Sequence, residues 1–315
     1  TFETANRGQF VDSHDASFAP SDMTLGPDGC LYVADWHDKR TAHPDPDAEW
    51  DRSNGRIYRL SHKNAKRASA FDLGSLPTGQ LLDLLEHPNK WYVRRALTLL
   101  AEHRDASAYR RLRRQMLDNE NATLAVNSMF ALHVGGGLDD ALLSRLLQSP
   151  NPVQRQWAVR FIGDGRKPSA KQLEKLTDMA GHEPDVRVRA QLAASAKRLE
   201  PAAGSALACR MAEQSADSAD PHIPLRLWWA IEAHAMRDES RIRTLATEPS
   251  RHHSRMLRET ILPRLVRRYA ADGSNTGDWN CAEILRAIES ADLRRDLFVA
   301  VDLGLQDRET GDSGN

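Results

Sequence analysis

At 315 residues the chain has room for two domains, or one domain with a repeat array. Its 43 Lys+Arg against 44 Asp+Glu give a formal charge of −1, which argues against a dedicated binder of nucleic acid or anionic membrane. Hydrophobic residues make up 40%, enough for a folded core, and no apolar run approaches the roughly 20 residues of a spanning helix. Cys30, Cys209 and Cys281 are odd in number and far apart, so they make neither a disulfide framework nor a zinc site, and no CxxCH haem-attachment motif occurs.

The chain opens at Thr1 without a methionine, inside what reads as a structured region, and it is expected to be a piece of a longer protein. Two short apolar runs, Ser21 to Leu25 and Cys30 to Ala34, flank Gly26-Pro27-Asp28-Gly29. That is a hairpin signal, because Pro27 presets its φ and Gly29 can take a positive one. A polar loop from Asp35 to Asn54 follows, and then Gly55 to Leu60 alternates with the period of a third strand. Three strands do not make a stable domain alone, so residues 1–61 are expected to be the closing portion of a larger β structure. Residues 62–76 read as a basic-then-small linker, residues 77–305 as helical repeats and residues 306–315 as a polar tail.

Within the helical part the punctuation by Pro88, Gly135 to Gly137, Pro150, Gly163 to Gly165, Pro184, Pro201, Pro221, Pro249 and Gly273 predicts seven helix pairs. They fall at about 78–103, 106–133, 138–163, 169–199, 201–236, 238–270 and 277–303. A Pro-then-Arg theme recurs through them: Pro88 to Arg94 to Leu97, Pro150 to Arg155 to Ala158, and Pro184 to Arg187 to Ala190. A degenerate copy fits between Asn121 and Leu132. A single helix pair cannot bury its apolar stripe, so neighbours must stack. The expected fold is therefore mostly α, a HEAT/armadillo-like α-solenoid of about seven helix pairs preceded by a small β segment. Arg94, Arg155 and Arg187 are expected to tie one repeat to the next.

The string from Phe18 to Trp36, containing Gly26-Pro27-Asp28-Gly29 and Tyr32-Val33-Ala34-Asp35-Trp36, is followed by His43 and by Asp51-Arg52-Ser53-Asn54-Gly55-Arg56-Ile57-Tyr58-Arg59. It resembles the final blade of the membrane-bound dehydrogenases of planctomycetes and verrucomicrobia. The propeller of that family is similar to those of sorbosone and glucose dehydrogenases, and HEAT repeats and commonly a c-type cytochrome domain come after it. The resemblance is close over residues 10 to 60 and generic over the helices. It implies a periplasmic or cell-envelope location and a parent oxidoreductase with a quinone (PQQ), calcium and haem c, although no cofactor is expected in this chain itself.

The loop after Asp35 concentrates acids and histidines. Asp35, Asp45 and Asp47 are the candidate metal ligands; His37, His43 and Arg52 are the candidates for a cofactor rim. The plainer reading is a solvated loop with Asp35 tying the strand end. Arginine patches at 104–114 and 264–268 read as solvated faces, and no Ser–His–Asp set, phosphate loop or HExxH motif stands out. The leading expectation is a non-catalytic scaffold whose concave face takes a protein or domain, with no nucleic acid and no transmembrane segment. One alternative is part of a quinone-dependent sugar or alcohol dehydrogenase with the 35–51 loop at the rim of its active site. Another is a HEAT-type binder of nucleic acid or protein.

Overall fold

The computed structural model describes residues 5–6, 8–38, 54–64, 71–118 and 120–311. Two compact units emerge, Thr1–Gly137 and Leu138–Asn315.

The first unit begins with an antiparallel sheet in the order β1 (Pro20–Leu25), β2 (Leu31–Asp35), β3 (Arg56–Leu60). Its register sets Met23 opposite Val33 and Val33 opposite Tyr58, so these apolar side chains share one face. Gly29 turns the hairpin at a φ of 73°. Gly26 is required for a different reason, since a side chain there would run into the Tyr32 ring. Asp28 does more than form the turn. Its carboxylate accepts from the Cys30 backbone N–H (3.1 Å), from the Tyr32 hydroxyl (3.1 Å) and from Arg59 Nε (2.8 Å), which staples β3 to the hairpin.

The sheet does not stand apart from the helices. Asn89 caps α2 (Lys90–His103) by accepting from the Trp91 N–H, and its Nδ2 donates to Gly26 O at 2.9 Å. Tyr92 Oη donates to Pro27 O at 3.3 Å. Phe71 packs edge-on against Trp91 at 5.9 Å, and Leu73–Ser75 is a helical turn capped by Asp72, so the expected linker is structured from residue 71 onward. In the first unit α1 (Thr78–Asp83), α2, α3 (Tyr109–Asp118) and α4 (Ala122–Gly135) belong with the sheet. A three-stranded sheet has too little surface to bury alone, and the helices supply the rest.

The second unit runs through α5 (Asp140–Leu146), α6 (Pro152–Gly165), α7 (Ala170–His182), α8 (Val186–Ala196) and α9 (Pro201–Ala212). It continues with α10 (Ile223–His234), α11 (Glu239–Thr247), α12 (Leu262–Asp272), α13 (Asn275–Ala287) and α14 (Ala291–Gly311). Each helix packs on the second one after it: α5 on α7, α6 on α8, α7 on α9, and so on to α12 on α14. That is the stacking of a helical repeat, two parallel layers closed by successive hairpins. The chain is mostly α, a HEAT-like succession of helix pairs preceded by a small three-stranded sheet. No helix among the described residues is long and apolar enough to cross a membrane.

Two local features depart from simple helical pairs. Before α12 the segment Leu257–Ile261 is π-helical, with the Leu262 N–H donating to Leu257 O. Pro263 has no N–H to offer the preceding turn, and the wider turn accommodates that loss. At the other end α14 continues to Gly311, so the expected polar tail is helical through that point. Arg267 pairs with Asp307 at 2.9 Å, and Arg308 donates to Ala270 O, which together hold the last turns against α12.

Candidate functional site

The chemistry-bearing residues of the first unit meet at the end of β2. Asp35, the last residue of that strand, has a side chain with no exposure. Its Oδ1 accepts from the Ala19 N–H at 2.8 Å and from the His37 N–H at 2.9 Å, which ties the strand end as the plainer reading expected. This tie holds His37 at a φ of 54°, a left-handed conformation that costs a non-glycine residue energy. The ring is thereby swung back over the cluster. His37 Nδ1 faces Asp35 Oδ2 at 3.5 Å and Asp15 Oδ2 at 3.8 Å. Among the described residues neither His37 Nδ1 nor Asp35 Oδ2, both buried, has a hydrogen-bond partner, a costly condition that leaves room for a further donor or acceptor.

Asp15 and Arg56 complete the cluster. Asp15 accepts from the Ser17 N–H at 2.9 Å and from Arg56 Nη1 at 2.9 Å. The Ser17 N–H first and the Arg56 guanidinium second hold the Asp15 carboxyl below the usual carboxylate range. Arg56 also donates to Tyr58 Oη at 3.2 Å.

Beside the cluster lies an open cavity of about 690 Å³ against the sheet face. Phe10, Phe18, Met23, Val33, Tyr58 and Leu60 line it, and Asp15 and Arg56 stand at its polar edge. Phe18 meets Tyr58 edge to face at 5.6 Å. The volume is that of a small-ligand pocket, and the lining is equally suited to a second apolar β surface.

Of the residues singled out in the sequence, Asp35 and His37 come together. His43, Asp45, Asp47 and Arg52 lie outside the described residues. Among the described residues no group of three or more His, Cys, Asp or Glu side chains is placed to hold a metal ion. Asp15 and Arg56 escaped sequence reasoning. Arg56 was visible only as a strand residue, and Asp15 lies 20 residues before Asp35 in a stretch without periodicity. The cysteines are buried, and burial pushes the Cys209 thiol up to about 12 and the Cys281 thiol up to about 11, far from a reactive thiolate.

In the second unit the repeat arginines form a ladder. Arg155 on α6 donates from Nε and Nη2 to Glu183 at 2.9 and 2.6 Å, while its Nη1 reaches Ser149 O at 2.8 Å. On α8 the residue doing the same is Arg189, which donates to Asp217 at 2.6 and 2.8 Å and to Pro184 O at 2.8 Å. Arg187, expected in that role, instead pairs with the cap of its own helix, Asp185, at 2.7 Å. The reason is register. Arg155 stands four residues after its cap Asn151, and the position four after Asp185 is 189. Arg94 falls outside the ladder as well, because the fourth position after Asn89 is buried Val93 and Arg94 points to solvent.

The second unit also displays aromatic and cationic groups. Trp229 on α10 is 47% exposed with Lys197 Nζ over its ring at 5.9 Å, and Leu225 one turn away is 41% exposed. On α6 the Arg160 guanidinium lies 5.4 Å from the Trp157 ring centre.

Residues 1–64 match a family described as a domain of unknown function, DUF7133. No curated protein and no solved structure matches the chain. The family match covers the sheet, the Asp35 cluster and the cavity, and the helical pairs lie outside it.

Proposed function

We propose that this chain is a scaffold: a helical-repeat arm that presents a binding face to a protein or domain and carries at its start the closing blade of a dehydrogenase-like propeller. The observation that carries this reading is the ladder of Arg155–Glu183 and Arg189–Asp217, two like bridges 34 residues apart that lock consecutive pairs into one register. Such an arm holds its ends at a set spacing. Trp229, Leu225 and the cations beside the aromatic rings have the composition of a protein-binding surface, rich in aromatic and basic side chains. The cavity against the sheet, with apolar rows from all three strands, suits the packing of a preceding blade. On this reading the protein is exported and works at the cell envelope.

Site-directed photo-crosslinking in the source cells tests it. A crosslinking side chain at Trp229 should give a discrete adduct with one partner protein. The same group at Lys171, exposed on α7, should not. Equal labelling at both positions, or none at either, defeats the scaffold reading.

The buried unpartnered pair of His37 and Asp35 favours a second reading, in which the cluster borders the active site of a quinone-dependent sugar or alcohol dehydrogenase. His37 would move a proton and Arg56 would face an anionic group. Turnover of a sugar or alcohol with an artificial electron acceptor by the parent protein, lost in His37→Ala, would establish it. Turnover unchanged by that substitution would remove the cluster from the chemistry.

A further inference from the structure

The arginine ladder reaches further than its two bridges. Arg155, Arg189, Arg226, Arg258 and Arg294 each donate a backbone N–H, at 3.0 to 3.2 Å, to the carbonyl of the residue four back: Asn151, Asp185, His222, Ser254 and Ser290. They occupy one equivalent position near the start of α6, α8, α10, the helical run leading into α12, and α14. The first two reach an acid that follows the next helix, Glu183 after α7 and Asp217 after α9. The last, Arg294, turns back to Ile288 O at 3.1 Å, as Arg189 also does to Glu183 O at 3.0 Å. The guanidinium groups of Arg226 and Arg258 join no acid among the described residues. Arg258 differs from Arg226 in that the acid of its rung is in place, since Glu289 follows α13 as Glu183 follows α7. The two do not pair, and both line an open cavity of about 700 Å³. The turn that carries Arg258 is π-helical, a widening that often accompanies a functional site.

We infer that this open rung binds a free α-amino acid with an apolar side chain. The closed rungs show what Arg258 is placed to take. It is a carboxylate held by two guanidinium nitrogens, as Arg155 holds Glu183 at 2.9 and 2.6 Å. Glu289, on the same terms, takes a cation. A ligand with a carboxylate beside an ammonium group satisfies both, whereas a simple anion meets the like charge of Glu289 and a simple cation meets that of Arg258. The other polar groups of the cavity have partners of their own. Arg255 Nε donates to both oxygens of Glu259 at 2.8 Å, Asp296 has Arg295 beside it at 4.0 Å, and His252 Nε2 is engaged with Ala246 O at 2.8 Å. Pro249, Pro263, Ile288 and Leu293 supply the apolar part of the lining, which suits a branched or aromatic side chain. The cavity is open to solvent, so the affinity is expected to be modest, with a dissociation constant on the order of 100 μM.

Isothermal titration calorimetry on the full chain tests this, with L-leucine and L-phenylalanine as the probes. At least one should bind. Its analogue without the ammonium group (isocaproate or hydrocinnamate) and its analogue without the carboxylate (isoamylamine or phenethylamine) should each bind at least about tenfold more weakly. Arg258→Gln and Glu289→Gln should each weaken the amino acid by a similar factor. Both side chains are exposed, so the variants should keep the wild-type circular dichroism spectrum. If one does not, the other carries the test, and the comparison of analogues needs no variant at all. Arg187→Gln, exposed and outside the cavity, should bind as the wild type does. Four results overturn the inference: neither amino acid binding below about 5 mM, an acid or amine analogue binding as well as its amino acid, binding that survives Arg258→Gln and Glu289→Gln, or an equal loss in Arg187→Gln.

Discussion

Arg189 and Arg187 sit two residues apart, carry the same side chain and have opposite roles. Arg189 is three-quarters enclosed and bridges to Asp217, whereas Arg187 lies in solvent beside Asp185. Arg189→Ala should lower stability by about 2 kcal/mol, because it leaves Asp217 and two backbone carbonyls short of a donor. Arg155→Ala should cost about 3 kcal/mol, since its partner Glu183 is only 3% exposed and would keep a charge without a counter-ion. Arg187→Ala should change stability by less than about 0.5 kcal/mol. Urea midpoints of the three variants measure this, and a large loss in Arg187→Ala would contradict the assigned register. Asp28 gives a pH signature. Burial works against its charge, but the bonds from Arg59, the Cys30 N–H and Tyr32 outweigh burial and hold the carboxyl at about 2. A folded value below the unfolded one of about 3.9 stabilises the fold above that pH, and the contribution fades as pH falls from about 4 to about 2. Wild type should therefore exceed Asp28→Asn in thermal midpoint at pH 6, and the gap should close by pH 2. A gap that widens on acidification would reverse the sign and refute the assignment.

Helix ends here are set by a few caps repeated at matching places. Asn89, Asn151 and Asp185 each accept from the N–H two residues on, and Ser169 with Gln172 forms a reciprocal capping box on α7. Ser169→Ala should cost about 1 kcal/mol in thermal or urea unfolding. Helix faces, in turn, are set by small residues. Gly204 lets α9 come so close to its neighbours that a Cβ there would stand 2.5 Å from Ala196 O and press on the His234 ring, whose Nε2 donates to the same carbonyl. Gly204→Ala should destabilise by about 2 kcal/mol, read from the same unfolding curves, despite its better helix propensity. A stabilised Gly204→Ala would mean that the α8–α9–α10 seam is looser than drawn.

At the scale of the molecule the chain divides into compact units after Gly137. A protein comprising residues 138–315 should therefore fold alone, with a helical spectrum and a cooperative melt. A protein ending at residue 61 should not, because it loses the hydrogen bonds from Asn89 and Tyr92 to the hairpin turn. Circular dichroism and thermal melts of both pieces decide the point. A folded 1–61 piece, or an unfolded 138–315 piece, would show the boundary to be misplaced.

The helix pairs were legible from the residues alone, because hydrophobic spacing and Pro/Gly punctuation are local properties of a chain that packs mainly on its near neighbours. The strands were legible as well, down to the turn at Gly29. Half of the cluster was visible: Asp35 as a tie and His37 beside it. Asp15 and Arg56 were not, because they reach the end of β2 only through the fold of the sheet and the chain segment before it, and no spacing rule links positions 15, 35 and 56. The ladder illustrates the same division. Its existence followed from a repeated motif, but choosing Arg189 over Arg187 needed the geometry that caps each helix. Local order follows from neighbours along the chain. Partners across a seam follow from distances that only the folded backbone sets.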